Sequence, residues 1–144
     1  MTDNTTMISG VLDANAQAIR MKDAEAVVSH YGSPLVRFDL APPLATAGAA
    51  AREPGQLIDW FATWRGPIGY ELRDTTITAA GDIAFAHGFV RISGTKHDGS
   101  RADVWARQTV CLRQQGGTWK IVHEHTSTPF YMDGSLRAAV DLVP

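Results

Sequence analysis

Cysteine is nearly absent from this chain of 144 residues: only Cys111 is present. A single thiol excludes an intramolecular disulfide and makes a reducing, cytoplasmic compartment the simplest expectation. Long apolar runs are missing too. None approaches the roughly 20 residues of a membrane-spanning helix, and the opening MTDNTTMISG lacks the charged-then-apolar order of a signal peptide, so no membrane partner is expected. Charge of one sign is scarce: 13 Lys and Arg face 15 Asp and Glu for a net −2, with no basic stripe, so nucleic acid is not an expected partner. The glycines at 81, 88, 94 and 99 sit in no strand–loop–helix phosphate cradle, and Ser9, Ser33 and Ser127 sit in no nucleophile elbow. No spacing resembles a zinc motif, so neither metal nor cofactor is expected.

What is present is a globular composition, 44% apolar and 19% charged, long enough for one domain over residues 1–144. MISGVLDANAQAIR repeats its apolar residues at helical period, with Ser9 as a possible cap. A second helix is expected to start at an Asp23 cap and to end at Gly32 with positive φ. LVRFDL then reads as a short strand stopped by Pro42 and Pro43. Leu57, Trp60, Phe61 and Trp64 mark a third helix, closed by Gly66–Pro67, whose aromatics pack in the core or reach a pocket. After Pro67 the period becomes two. Four strands follow, separated by turns at Gly81–Asp82, His97–Asp98–Gly99 and Gln115–Gly116–Gly117. The tail from Leu136 to Val140 carries a weak helical pattern. Helices followed by a meander indicate an α+β protein with an antiparallel sheet.

Alternation puts Phe85, His87, Phe89 and Arg91 on one strand face, Trp105, Arg107, Thr109 and Cys111 on another, and Trp119, Ile121, His123 and His125 on a third. Few polar groups among aromatics describe a ligand pocket. The opposite faces, such as Ala84, Ala86 and Val90, are apolar as well, and one bulge would exchange the two faces partway along. His123 and His125 lie on one strand face, with Glu124 turned away. Either histidine can serve as acid or base near neutral pH. Asp39 can act as base or orient a histidine.

The segments AQAIRMKDAEAVVSHYGSPLVRFDLAPPL, LIDWFATW, DIAFAHGFVRISG and VWARQTVCLRQQGGTWKIVHEHTSTPF together resemble the SnoaL-like and ketosteroid-isomerase-like superfamily, also called nuclear transport factor two-like. They span roughly residues 10–132, and the last segment is also similar to the association domain of the calcium/calmodulin-regulated kinase. Within the superfamily the chain looks closest to small uncharacterised bacterial members. The resemblance implies a cone-shaped, strongly curved antiparallel sheet with three N-terminal helices packed on its concave face, a deep pocket, and a homodimer. It implies that the aspartate of RFDLAPP, Asp39, matches the general base of the isomerases. The tyrosine of their oxyanion site would fall near Asn15 and its protonated aspartate near Gln108 or Thr109, and there the chain departs from the pattern.

Residues and resemblance together give an isomerase, cyclase or dehydratase that abstracts a proton from a small or polycyclic carbonyl compound. The alternatives are a small-molecule binder without chemistry and a structural association module. Asp39 is the expected base, with His125 or Arg107 holding the developing oxyanion. Asn15, Trp60, His87, Phe89, Arg91, Trp105 and His123 are expected along the pocket, with Phe130 and Tyr131 folding over its mouth.

Overall fold

The computed structural model describes residues 3–144. Helix α1, Asn4–Arg20, starts earlier than the Ser9 cap suggested, because the Asp3 carboxylate accepts a hydrogen bond from the Thr6 amide at 2.8 Å. Its Ile8, Leu12, Ala16 and Ile19 form a buried stripe. Helix α2, Ala24–Ser29, does use Asp23 as its cap, but ends at His30. Gly32 is not its terminator. It lies inside strand β1, Tyr31–Phe38, where a Cβ would come 2.4 Å from Gln115 Oε1 and 2.8 Å from Lys120 Cβ. That glycine is needed for close approach of chains, and φ has no part in it.

A two-residue strand β2, Thr46–Ala47, and a 3-10 turn over Gly48–Arg52 follow. Helix α3 covers Gly55–Ala62, and strand β3 runs from Trp64 to Ala80. Gly66–Pro67 therefore belongs to the start of β3 and does not close the helix. Strands β4, Ile83–Lys96, β5, Arg101–Gln115, and β6, Thr118–Ser127, complete a meander with its turns at the three expected places. The tail forms no helix: Phe130 bridges Ala138, and the Ala139 amide bonds to the Pro129 carbonyl at 2.7 Å.

The cone-shaped, strongly curved antiparallel sheet does not form. The sheet is mixed and open, in the order β2-β1-β6-β5-β4-β3, and its edge strands β2 and β3 do not pair with each other. β3 to β6 are antiparallel neighbours, as short turns require, but β1 runs parallel to β6. β1 is joined to β6 by most of the chain, so no hairpin dictates its direction. Closure would need a long partner beyond β1, and β2 has only two residues.

Helix α1 lies against β3 and shares one core with Ala84, Ala86, Val90, Ala106, Val110, Leu112 and Ile121. The helices thus cover the Ala84–Ala86–Val90 face. The opposite face, with Phe85, His87, Phe89, Arg91, Trp105 and Arg107, is the outer one. A bulge in β6 completes the assignment. Leu112 pairs with Ile121 but Cys111 pairs with His123, so Val122 is the extra residue. Trp119 and Ile121 point inward, and beyond the bulge it is Glu124 that does so, with His123 and His125 outward.

Gly88 marks a close crossing of backbone on backbone in the sheet. A Cβ there would lie 2.9 Å from the Arg73 carbonyl oxygen, 3.0 Å from Thr75 Cα and 3.1 Å from the Asp74 carbonyl oxygen, all backbone atoms of the irregular stretch of β3 between Arg73 and Thr76. Alanine normally gains a little over glycine in a strand. Here the clash should win, and Gly88→Ala should lose about 1–3 kcal/mol of stability in equilibrium urea unfolding. An unchanged or higher unfolding midpoint would show that the stretch yields freely.

Candidate functional site

β1 and β6 run parallel and stop together, with Phe38 registered against His125. Beyond their ends the chains diverge into the Leu40–Ala45 segment and the Thr128–Ala138 segment. Between these opens a cleft of about 860 Å³, lined by Phe38, Asp39, Pro42, Pro43, Leu44, His125, Thr126, Thr128, Phe130 and Leu136 among others. Its walls are mainly apolar, with Asp39, His125 and three hydroxyl side chains from Thr126 to Thr128 as polar groups. Phe38 sets the histidines: its ring meets His123 edge-on at 4.9 Å and His125 at 5.3 Å. His123 Nδ1 lies 2.7 Å from the Val36 carbonyl oxygen, so this ring is tied to the backbone of β1.

The cleft brings together Asp39, His125 and Phe130 of the residues expected from sequence. Tyr131 is next to it, its hydroxyl donating to the Asp141 carboxylate. The others lie elsewhere. Arg107 is exposed on the outer face of β5, opposite Ser127 in register. Arg91 grips Asp103 through two hydrogen bonds of 2.8 and 2.7 Å, and with Arg73 it flanks the Trp105 ring. His87 and Phe89 share that outer face, where His87 stacks near Phe85 at 6.5 Å. Trp60 packs on Phe61 and Trp64 beside the core. Asn15 is buried on α1, and its Oδ1 has no partner among the described residues. Nor do any three His, Cys, Asp or Glu side chains among those residues group closely enough to hold a metal ion.

Behind the cleft wall lies a buried polar array that the reading of the sequence missed. Arg37 Nη1 donates to the Tyr31 hydroxyl at 3.1 Å, and that hydroxyl donates to Glu124 Oε2 at 3.3 Å. Arg37 Nη2 also stands 3.4 Å from Gln56 Oε1 and 3.6 Å from Asp39 Oδ2. Gln108 Nε2 bonds both the Tyr70 hydroxyl at 3.2 Å and the Thr126 hydroxyl at 3.1 Å. The Arg37 set therefore touches the cleft at Asp39, and the Gln108 set touches it at Thr126. Arg37 was legible: it falls two residues from Leu35, so strand alternation sends both inward. Glu124 was not, because only the Val122 bulge turns it away from solvent.

Burial pushes the Glu124 carboxyl up to about 7, with Arg37 opposing and Asp39 adding to the rise. Burial, followed by the nearby Glu124, also raises the Tyr31 and Tyr70 hydroxyls, so both remain protonated. A neutral acid, two phenols and one guanidinium can share this interior without an unpaired anion.

The model of the SnoaL-like domain matches residues 8–131. Among solved structures, an NTF2-like protein of unknown function from Pseudomonas putida KT2440 is 30% identical, with a TM-score of 0.86 over 100% of both chains. A ketosteroid isomerase-like protein from Erwinia carotovora atroseptica SCRI1043 is 20% identical, with a TM-score of 0.73 over 88% of this chain and 97% of that one. Comparison with curated proteins finds no match.

The buried acid makes stability depend on pH. Its carboxyl titrates near 4.5 when free and near 7 in the fold. Between these values the native protein holds a proton that the unfolded chain has lost. The stabilisation is therefore complete below the lower value and lost as pH rises through the upper one. Urea midpoints of the wild type should fall from pH 5 to pH 8 by more than those of Glu124→Gln, which has no proton to lose. Equal slopes in the two proteins would place the Glu124 carboxyl in contact with water.

Proposed function

The chain belongs to the SnoaL-like family, and we propose that it binds a small, mainly apolar carbonyl compound in the cleft between the ends of β1 and β6 and abstracts a proton beside the carbonyl, as an isomerase, cyclase or dehydratase does. The observation that carries this reading is the arrival of Asp39 and His125 in one apolar-walled cleft of about 860 Å³, within the size range of small-molecule sites. The fold shared with a ketosteroid isomerase-like protein supports the same class. Asp39, with its side chain 42% exposed, is the base: a carboxylate on the wall can reach a carbon acid, and general base catalysis contributes about 10²–10⁴-fold. His125 supplies the hydrogen bond to the oxygen on which charge develops, helped by the Thr126 hydroxyl, which accepts from Gln108 and keeps its own proton free to donate. Leu40, Leu44 and Phe130 give the cleft its apolar lining. Arg107, on the outer face, has no part in this arrangement.

2-Tetralone, a bicyclic ketone with two activated carbon positions, tests the chemistry. In deuterium oxide the protein should speed exchange of those positions, and Asp39→Asn should remove at least about 100-fold of the acceleration. His125→Ala should weaken ketone binding by about tenfold or more, while His123→Ala should chiefly lower stability by roughly 1–3 kcal/mol through its lost bond to Val36. Binding without exchange would replace the enzyme with a carrier, and neither binding nor exchange would leave an association module.

The outer sheet face supports a homodimer. Phe85 is 44% exposed there, Phe89, Trp105 and Cys111 are half-buried, and the helices lie on the opposite side. Such a face of one copy covers that of another by two-fold symmetry. Sedimentation should give twice the 15.6 kDa chain mass at micromolar concentration, and Phe85→Asp should shift it toward the single chain. A wild type that sediments only at 15.6 kDa overturns the dimer.

A further inference from the structure

The Arg37 guanidinium stands between two carboxyl groups that have different surroundings. Its side chain is only 7% exposed. One arm of the fork reaches Glu124 through the Tyr31 hydroxyl, and the other faces Asp39 on the cleft wall. Its Nε has no hydrogen-bond partner among the described residues. The Asp39 contact of 3.6 Å is longer than the 2.7–2.9 Å typical of a charge-assisted hydrogen bond. The cation is therefore neither saturated nor locked by a two-point bond to either acid.

We propose that Arg37 is a positioning residue that holds the Asp39 carboxylate on the cleft wall, and that Glu124 competes with Asp39 for the same guanidinium. The proposal rests on the reading of Asp39 as the base. When Glu124 is neutral, Asp39 is the sole carboxylate facing Arg37, and the guanidinium orients it. When Glu124 loses its proton, a buried anion appears on the far side of Tyr31 and draws the guanidinium and the Tyr31 proton inward. The hold on Asp39 slackens. The charged and titratable groups that meet Glu124 are Tyr31, Arg37 and Asp39 from the β1 side and Tyr70 from β3. Both phenols keep their protons, so the balance is set by one cation and two acids. The raised titration of Glu124, about 7, puts the exchange in the neutral range. A proton buried in the sheet thereby governs a group on the surface of the cleft.

If Arg37 merely neutralised charge in the core, changing Glu124 would alter stability and leave Asp39 where it is. Carbon-13 NMR of the side-chain carboxyl carbons distinguishes the two. In the uniformly labelled full chain, followed from pH 5 to pH 9, the Asp39 carbon should move at the pH at which the Glu124 carbon itself titrates. That movement should vanish in Glu124→Gln and in Arg37→Lys, which keeps the charge but loses the fork. An Asp39 carbon that stays flat while Glu124 titrates overturns the proposal, and so does a movement that persists in Glu124→Gln. Should Arg37→Lys fail to fold, the Gln variant decides alone. 2-Tetralone binding on the same samples separates the two readings. Coupled carboxyl groups in a protein that binds no ketone leave Arg37 in its role and sink the proposed function. Ketone binding with uncoupled carboxyl groups sinks the role of Arg37 alone.

Discussion

The parallel pairing of β1 with β6 is the contact on which the rest of the cleft depends. A hairpin partner would have reversed β1 and carried Asp39 to the other end of the sheet. Because the two strands run together, Phe38 reaches the level of His125, and the residues after each strand leave from the same edge. Two chains that end side by side must then separate, and the space between them is the cleft. The Pro42–Pro43 pair keeps the β1 continuation from adding ladder bonds to β6, since neither residue carries an amide proton. Phe130 and Leu136 form the opposite wall because the Phe130–Ala138 bridge folds the tail back on itself.

The same pairing brings Arg37 level with Glu124 across the two strands. Placed alone in an apolar core, either side chain would carry an unpaired charge at a cost of several kcal/mol. Placed together around Tyr31, they form an array in which the acid holds its proton until its raised titration and the cation looks toward Asp39. Replacing such an array with hydrophobic residues is often neutral or stabilising. Its presence is therefore weak evidence of a contribution to stability. What sets it apart from core filling is that it ends at the cleft, at Asp39, while the neighbouring Gln108 reaches the same cleft at Thr126.

The meander, the Asp23 cap and the three turns were legible because each rests on a local rule: strand period, a short polar cap, glycine at a tight turn. The cleft was partly legible, through the aspartate after the first strand and the histidine at the end of the last. Three features were beyond local rules. The direction of β1 is fixed by a partner more than 80 residues away in sequence. The two faces of the central strands are both apolar, so alternation alone could not say that Ala84 and Val90 face the helices and Phe85 and Phe89 do not. The Val122 bulge leaves no mark in the letters of TWKIVHEH, yet it decides that Glu124 turns inward while both histidines turn outward.

That bulge also explains how His-Glu-His can serve two environments in three residues. Strand alternation always divides such a triplet between two faces. Without the extra residue, His123 and His125 would follow Trp119 and Ile121 into the core, and Glu124 would meet solvent as an ordinary exposed carboxylate. With it, the acid is buried beside Arg37, His123 is tied to the Val36 carbonyl, and His125 stands at the strand end beside the cleft. One inserted residue thus exchanges an exposed charge for a titrating interior group and an interior imidazole for one that a ligand can reach. The chemistry of the site is set by the register of the strand as much as by the identity of its side chains.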